Sequence, residues 1–113
     1  MMSKGGETVG KTYDIYLLRC ADNSLYCGIA ADWKRRLEEH REKGDKGAKY
    51  TKSHTAVAVE RVWRAPDRPA ASRLEYRIKT LTKPQKESLI GGSISLADVF
   101  ADKLDTTVYE LIQ

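Results

Sequence analysis

The stretch YDIYLLRC-ADNS-LYCGIA, residues 13–30, decides the fold. Its two runs of aromatic and aliphatic residues, 13–20 and 25–30, are separated by the turn-forming residues Asp22, Asn23 and Ser24. Strand-forming runs on either side of a short polar turn are the pattern of a β-hairpin. The sequence therefore predicts two antiparallel strands at the start of one small domain.

The loop length of this hairpin decides which side chains share a face of the sheet. A two-residue loop, Asn23-Ser24, would pair Cys20 with Cys27 and send Tyr16 and Tyr26 to opposite faces. A three-residue loop, Asp22 to Ser24, segregates the apolar residues better, and we predict it for that reason. It gathers Ile15, Leu17, Leu25, Cys27 and Ile29 on one face, and Tyr16, Leu18, Cys20, Tyr26 and Gly28 on the other. Gly28 would then leave room above the sheet for a substrate.

A helix is predicted from Trp33 to about Lys43, with Asp32 as its N-cap and Gly44 as its stop. Trp33 and Leu37, four apart, give it a buried stripe. Arg36 and His40 are also four apart, so they lie one turn from each other on one face. A guanidinium there can hold a phosphate through two hydrogen bonds, and the imidazole can bond a phosphate or a tyrosine hydroxyl. A solvated basic face is the plainer interpretation of the same spacing.

Residues 44–54 form a loop rich in glycine and lysine. It is either a connector or a segment that closes over a nucleic-acid backbone. His54 is interpreted as a surface residue of this loop. On the second interpretation, the residues that contact nucleic acid are Gly28, Arg35, Lys46, Lys49, Tyr50 and Lys52.

Beyond the loop, residues 56–64 predict a third strand, and Pro69 fits the first turn of a second helix that ends at Leu81. The buried stripe of that helix is Ala71, Leu74, Ile78 and Leu81. Glu75 borders the stripe and could simply pair with Lys79 one turn later. Thr82 and Gln85 form a capping box for a third helix through Ile90. The fold class is thus α+β: a three-stranded antiparallel sheet flanked by about three helices.

Three segments follow from this pattern: a disordered segment at 1–11, a domain at 12–90 and an acidic extension at 91–113. Residues 95–100 predict an amphipathic helix within the extension, and 107–109 are strand or tail. The extension could pack on the domain, mask its basic surface, or bind a protein partner or a second copy of the chain. We favour packing.

Charge and composition narrow the classes of function. The 113 residues carry a formal net charge of +4, and residues 91–113 alone carry −3, so residues 1–90 carry +7. A basic surface suits a polyanion such as nucleic acid, although an ordinary solvated surface with excess lysine would have the same net charge. Two cysteines are too few for a disulfide framework or a four-cysteine zinc site. No run is long and apolar enough for a secretory signal or a membrane span, so we expect a cytoplasmic protein.

Tyr16, Tyr26, Arg36, His40 and Glu75, with Gly28 between them, occur in the order and approximate spacing of a known nuclease family. The segment from Tyr13 to about Ile90 resembles the GIY-YIG endonuclease domain, in particular small standalone bacterial members and the catalytic domain of structure-specific junction endonucleases. Asp14 and Cys27 replace the glycine and isoleucine of the family motif. A late active-site asparagine and the attached cysteine-rich zinc domain of the junction-cleaving relatives are absent from the sequence.

The resemblance implies metal-assisted hydrolysis of phosphodiester bonds in DNA, in repair or recombination. Glu75 would bind one Mg²⁺ or Mn²⁺ ion, and Arg36 would stabilise charge on the phosphate. Tyr16 would activate water and Tyr26 would position water or phosphate, although these two roles could be exchanged. A non-catalytic nucleic-acid-binding module and a protein-interaction domain are the alternatives, and neither needs the full set of catalytic residues.

Overall fold

The computed structural model describes residues 11–44 and 56–113, without the side chains of 40–44 and 56–57. The predictions for the N-terminal segment and for the loop residues Lys46, Lys49, Tyr50, Lys52 and His54 fall outside these residues. The described elements, in chain order, are strand β1 (Tyr13–Cys20), strand β2 (Leu25–Ala30), helix α1 (Trp33–Gly44), strand β3 (Ala56–Ala65), helix α2 (Arg68–Lys79), helix α3 (Lys83–Gly91), helix α4 (Leu96–Phe100), a 3₁₀ turn (Thr106–Val108) and strand β4 (Glu110–Leu111).

The strands form one antiparallel sheet in the order β2-β1-β3-β4. The predicted α+β class and antiparallel sheet are confirmed. The sheet has a fourth strand that the sequence analysis did not assign, because β4 is only two residues long and lies just beyond the segment 107–109. At the other edge, β2 pairs only with β1 among the described strands.

The hairpin has the predicted three-residue loop, but its position along the chain was wrong. The loop is Ala21 to Asn23, so Leu25 pairs with Arg19 rather than with Ala21. Asn23 has a φ of 71°, the left-handed conformation that closes a three-residue hairpin loop. Its amide donates to the Cys20 carbonyl at 2.8 Å, and the Cys20 amide donates to the Ser24 carbonyl at 2.9 Å. The odd loop length preserves the predicted division of side chains between the two faces.

Each face of the sheet carries its own core. The larger core joins one face to α2, α3 and α4; its buried residues include Ile15, Leu17, Cys27, Trp63, Leu74, Ile78, Leu89 and Phe100. The smaller core lies on the opposite face and contains Tyr16, Leu18, Ala30 and Val62, with Trp33 and Leu37 of α1 packed against it. Both cysteines are buried free thiols. The sheet therefore separates α1, with the tyrosine Tyr16, from the other three helices.

The acidic extension packs on the domain, as we had favoured. Leu96 and Phe100 are buried in the larger core, and the Tyr109 hydroxyl donates to the Ala70 carbonyl at 2.7 Å. The Ile112 amide donates to the Val62 carbonyl at 2.9 Å, and the Ile112 side chain packs against the smaller core. Residues 91–113 thus wrap around the β3 side of the sheet and contribute to both cores. Among the described helices, none has the length and apolar character of a membrane span.

Candidate active site

The paired tyrosines of the hairpin lie on one face, as the sequence predicted. The Tyr16 and Tyr26 ring centroids are 6.4 Å apart, with the ring planes inclined by 40°. Their environments differ sharply, because Tyr16 is 2% exposed whereas Tyr26 is 43% exposed. One phenol is therefore part of the smaller core, and the other reaches solvent beside it.

Gly28 is required by Tyr16 itself. The two residues are directly opposite in the β1–β2 ladder. A Cβ atom built on Gly28 would lie 2.5 Å from the Tyr16 hydroxyl oxygen and 2.7 Å from its Cζ atom, far inside van der Waals contact. The tyrosine ring therefore occupies the space that the sequence analysis had reserved for a substrate. The space that the Tyr16 ring needs therefore explains why a glycine stands at position 28. This position does not by itself indicate a direct contact between Gly28 and nucleic acid.

Burial controls the acidity of Tyr16. Desolvation, and then the neighbouring Tyr26 phenol, raise the pKa of Tyr16 from 10.0 to about 12. The Arg36 guanidinium opposes this shift, both by its charge and by a hydrogen bond to the phenol. The protein alone therefore holds Tyr16 as a neutral phenol at neutral pH, with the cation that would stabilise a phenolate already in place.

Helix α1 brings Arg36 to the tyrosines. Its N-cap is Asp32, whose Oδ1 accepts from the Lys34 amide at 3.1 Å, as the sequence predicted. The Arg36 side chain is 48% exposed, and its Nε lies 3.6 Å from Glu39 Oε1. A cavity of about 190 Å³ opens beside it, lined by Ala30, Ala31, Asp32, Arg35, Arg36 and Glu39. Arg35 and Arg36 thus flank a depression at the start of the helix, where a phosphate could approach both guanidinium groups.

Asp14 fixes the start of α1, a role that the sequence analysis missed. This carboxylate is 1% exposed. Its Oδ1 accepts from Arg64 Nε at 2.9 Å, and its Oδ2 accepts from the Trp33 amide at 3.1 Å. One buried side chain therefore ties the first turn of α1 to β1 and β3. The available signal was a carboxylate between Tyr13 and Ile15 in a mostly apolar strand, since a buried charge requires partners.

Glu75 lies on α2, on the side of the sheet opposite Tyr16. Its Oε2 is 3.1 Å from Lys79 Nζ, the i+4 pairing that the sequence also allowed. Burial first, and then the charge of Glu75, raise the pKa of the Cys27 thiol to about 12, so Glu75 lies near β2. The pKa of Lys79 is raised first by its hydrogen bond to Glu75, and Tyr26 contributes to the same shift. Glu75 therefore pairs directly with Lys79, and Tyr26 is near enough to act electrostatically on the same ammonium group.

The predicted site residues fall into three groups. Tyr16, Tyr26 and Arg36 are brought together directly. Glu75 lies on the other side of the sheet, where it pairs with Lys79. His40 belongs to α1, one turn beyond Arg36, but its side chain lies outside the described residues. Within the described ranges, no cluster of three histidine, cysteine, aspartate or glutamate side chains could hold a metal ion.

A metal site built on Glu75 alone fits the chemistry of magnesium. Mg²⁺ keeps several waters and commonly binds through one or two carboxylates together with substrate phosphate oxygens. Glu75 retains 23% exposure of its side chain, and its pairing with the half-exposed Lys79 is a weak contact that a divalent cation could displace. The side chains present therefore fit an ion that the substrate helps to hold.

Comparison with known proteins finds related sequences and structures. The sequence model of the GIY-YIG catalytic domain matches residues 12–88. The UPF0213 protein FN1575 of Fusobacterium nucleatum is 49% identical over 78 residues, which cover 69% of this chain and 76% of that protein. The UPF0213 protein YhbQ of Escherichia coli K12 is 42% identical over 89 residues, covering 77% and 85% respectively. The solution NMR structure of the UPF0213 protein BH0048 from Bacillus halodurans shares 35% identity, covers 71% of this chain and 83% of that one, and gives a TM-score of 0.46.

Proposed function

Because this chain belongs to the GIY-YIG catalytic-domain family, we propose that it is a divalent-metal-dependent endonuclease that hydrolyses phosphodiester bonds in DNA. The observation that carries the proposal is the pairing of the buried Tyr16 phenol with the exposed Tyr26 on one face of the sheet, with the Arg36 charge near enough to lower the pKa of Tyr16. A binding surface needs cations, but it gains nothing from a buried phenol seated on glycine beside one of them. An arrangement of this kind suits proton transfer next to a phosphate.

Each side chain has a role in this proposal. Arg36 binds the scissile phosphate and stabilises the charge that develops on its oxygens. Tyr16 takes a proton from the attacking water, and Tyr26 orients that water or a phosphate oxygen. The raised pKa of Tyr16 sets a condition on this step, because the phenol must lose its proton only once substrate has bound. Arg36 favours that loss, since its charge and hydrogen bond lower the pKa.

Glu75 is the residue that would hold the metal ion. A bound Mg²⁺ or Mn²⁺ would neutralise phosphate charge and stabilise the leaving oxygen. For this, Glu75 must release Lys79, whose ammonium group would then be free to contact the substrate backbone. A role in repair or recombination, and a preference for branched or flapped substrates, belong to the same proposal and stand on the family resemblance.

A cleavage panel tests the proposal. Labelled linear, single-stranded, flapped and four-way DNA, with matched RNA, are incubated with the protein in Mg²⁺, Mn²⁺ or EDTA. We expect metal-dependent cutting that Glu75→Ala abolishes and that the control Glu110→Ala retains, because Glu110 is an exposed carboxylate on β4. Cutting in EDTA, or equal rates for the two variants, would refute the assignment.

One observation favours a non-catalytic nucleic-acid-binding module as the second candidate. Glu75 is paired with Lys79 in the protein alone, as it would be if the carboxylate served only the helix surface. In that case the panel would show salt-sensitive binding without cutting under any metal condition. Glu75→Ala would then leave binding unchanged or slightly stronger, since it removes a negative charge.

A further inference from the structure

Helix α2 presents one aromatic side chain to solvent. Tyr76 is 63% exposed, and the Arg77 guanidinium carbon lies 5.4 Å from its ring centroid. A guanidinium at this distance attracts the ring and restricts its orientations. Most of the ring nevertheless remains accessible. Tyr76 is therefore a partly ordered flat surface that no described side chain covers completely.

The position of Tyr76 relates it to the candidate metal ligand. It directly follows Glu75, and Lys79 lies one turn later on the neighbouring part of the helix surface. Tyr26, which is 43% exposed, is near enough to Lys79 to contribute electrostatically to its raised pKa. In the described ranges, the exposed large apolar side chains are Tyr26, Tyr76, Val108 and Leu111. Tyr76 thus lies beside Glu75 along α2, Tyr26 lies within electrostatic range of Lys79, and the two aliphatic side chains lie in the extension.

The charge of α2 matches a polyanionic ligand. The helix carries four basic residues and one acidic residue, Glu75, which is itself paired with Lys79. An aromatic ring among cationic side chains combines stacking on bases with attraction to the phosphate backbone, the pairing that single-strand-binding surfaces use. A protein partner that docked through an apolar surface would not require this excess of positive charge.

We propose that Tyr76, held by Arg77, is a stacking platform for an unpaired base of the strand whose phosphate is bound at Arg36 and Glu75. This inference rests on the proposed nuclease function and specifies its substrate: DNA with unpaired nucleotides next to the scissile bond. Bases inside an uninterrupted duplex already stack on each other and offer no free face to the ring. The platform therefore favours single strands and flaps over continuous duplex.

Binding in EDTA separates this inference from catalysis. Fluorescence anisotropy measures the Kd of a labelled single strand and of the matching duplex for the wild-type protein, Tyr76→Ala, Tyr76→Phe and Val108→Ala. Because Tyr76→Ala loses base stacking, its Kd for the single strand should rise about 5- to 100-fold. Its Kd for the duplex should change by less than about 2-fold. Tyr76→Phe keeps the ring and should bind as the wild type does. Val108→Ala removes an exposed apolar side chain from the extension and should change neither Kd.

Three results would overturn the platform. These are an unchanged single-strand Kd in Tyr76→Ala, an equal loss for single strand and duplex, or a wild-type protein that binds neither. Failure of the proposed function would give a different result. A wild-type protein that binds single strands through Tyr76 but cuts nothing with any metal would support the platform and refute the nuclease function. A nuclease whose Tyr76→Ala variant cuts flaps as fast as the wild-type protein does, and with the same preference for flap over duplex, keeps the function and loses the platform.

Discussion

Replacing Gly28 by alanine tests whether Tyr16 is seated as described. The new methyl group would lie 2.5 Å from the Tyr16 hydroxyl oxygen, 2.7 Å from Cζ and 2.9 Å from Cε1. Ordinary carbon contacts are about 3.5–4 Å, so the ring must withdraw by about 1 Å. Tyr16 is 2% exposed and packed in the smaller core, so it has little space to move into. Overpacking of this kind costs about 1–3 kcal/mol.

The same displacement should reduce catalysis, because it changes the position of the phenol relative to Arg36. A misplacement of about 1 Å can cost on the order of 10²-fold in rate. Urea denaturation and single-turnover cleavage are measured for Gly28→Ala and for Gly91→Ala, whose Cβ would meet nothing within 4 Å. The Gly91 variant should keep the wild-type rate and gain up to about 1 kcal/mol in stability. If Gly28→Ala were as stable and as active as Gly91→Ala, the seating of Tyr16 on Gly28 would be wrong.

Three other perturbations probe the elements that support the site. Asp14→Asn loses one of the two charge-assisted hydrogen bonds of Asp14, so the free energy of unfolding measured in urea should fall by about 2–3 kcal/mol. A fall of less than about 0.5 kcal/mol would show that Asp14 does not hold the start of α1 against the sheet. Because the pKa of Tyr16 is raised from 10.0 to about 12 in the folded state, its contribution to stability is complete below pH 10 and is lost as the pH rises to 12. This lost stability approaches about 3 kcal/mol. The unfolding free energy of Tyr16→Phe, measured in urea, should therefore fall less steeply between pH 10 and 12 than that of the wild-type protein, and parallel pH profiles of the two proteins would contradict the raised pKa. Deleting residues 110–113 removes the bonds between Ile112 and Val62 and uncovers the β3 edge, so sedimentation should reveal concentration-dependent association; a strictly monomeric deletion variant would argue against edge protection.

Local chemistry made much of the fold predictable. The alternation of apolar and polar side chains fixed the faces of the hairpin, because an odd loop is the choice that segregates them. Asp32 predicted the start of α1, and Thr82 with Gln85 predicted the start of α3, since both caps satisfy amides that the first helical turn leaves unbonded. The shared face of Tyr16 and Tyr26 followed from the same pattern.

The parts that sequence reasoning missed depend on contacts between distant segments. The hairpin loop was placed one residue late because its register depends on Asn23 adopting a left-handed conformation, and Ser24 is an equally good turn residue. The seating of Tyr16 on Gly28 and the fastening of α1 by Asp14 need the strand register and the helix position together. The position of Glu75, on the opposite side of the sheet from Tyr16, likewise depends on tertiary packing.

The central claim is that Arg36 and Glu75, from helices on opposite sides of the sheet, act on one phosphate. Single-turnover cleavage of a labelled flap in Mn²⁺ is the most direct test, with Arg36→Ala, Glu75→Ala and the double variant. If they serve one site, each single change should lower the rate by about 10²-fold or more, and the double variant should be no slower than the slower single variant. Losses that multiply in the double variant, or a wild-type rate in either single variant, would contradict a shared site.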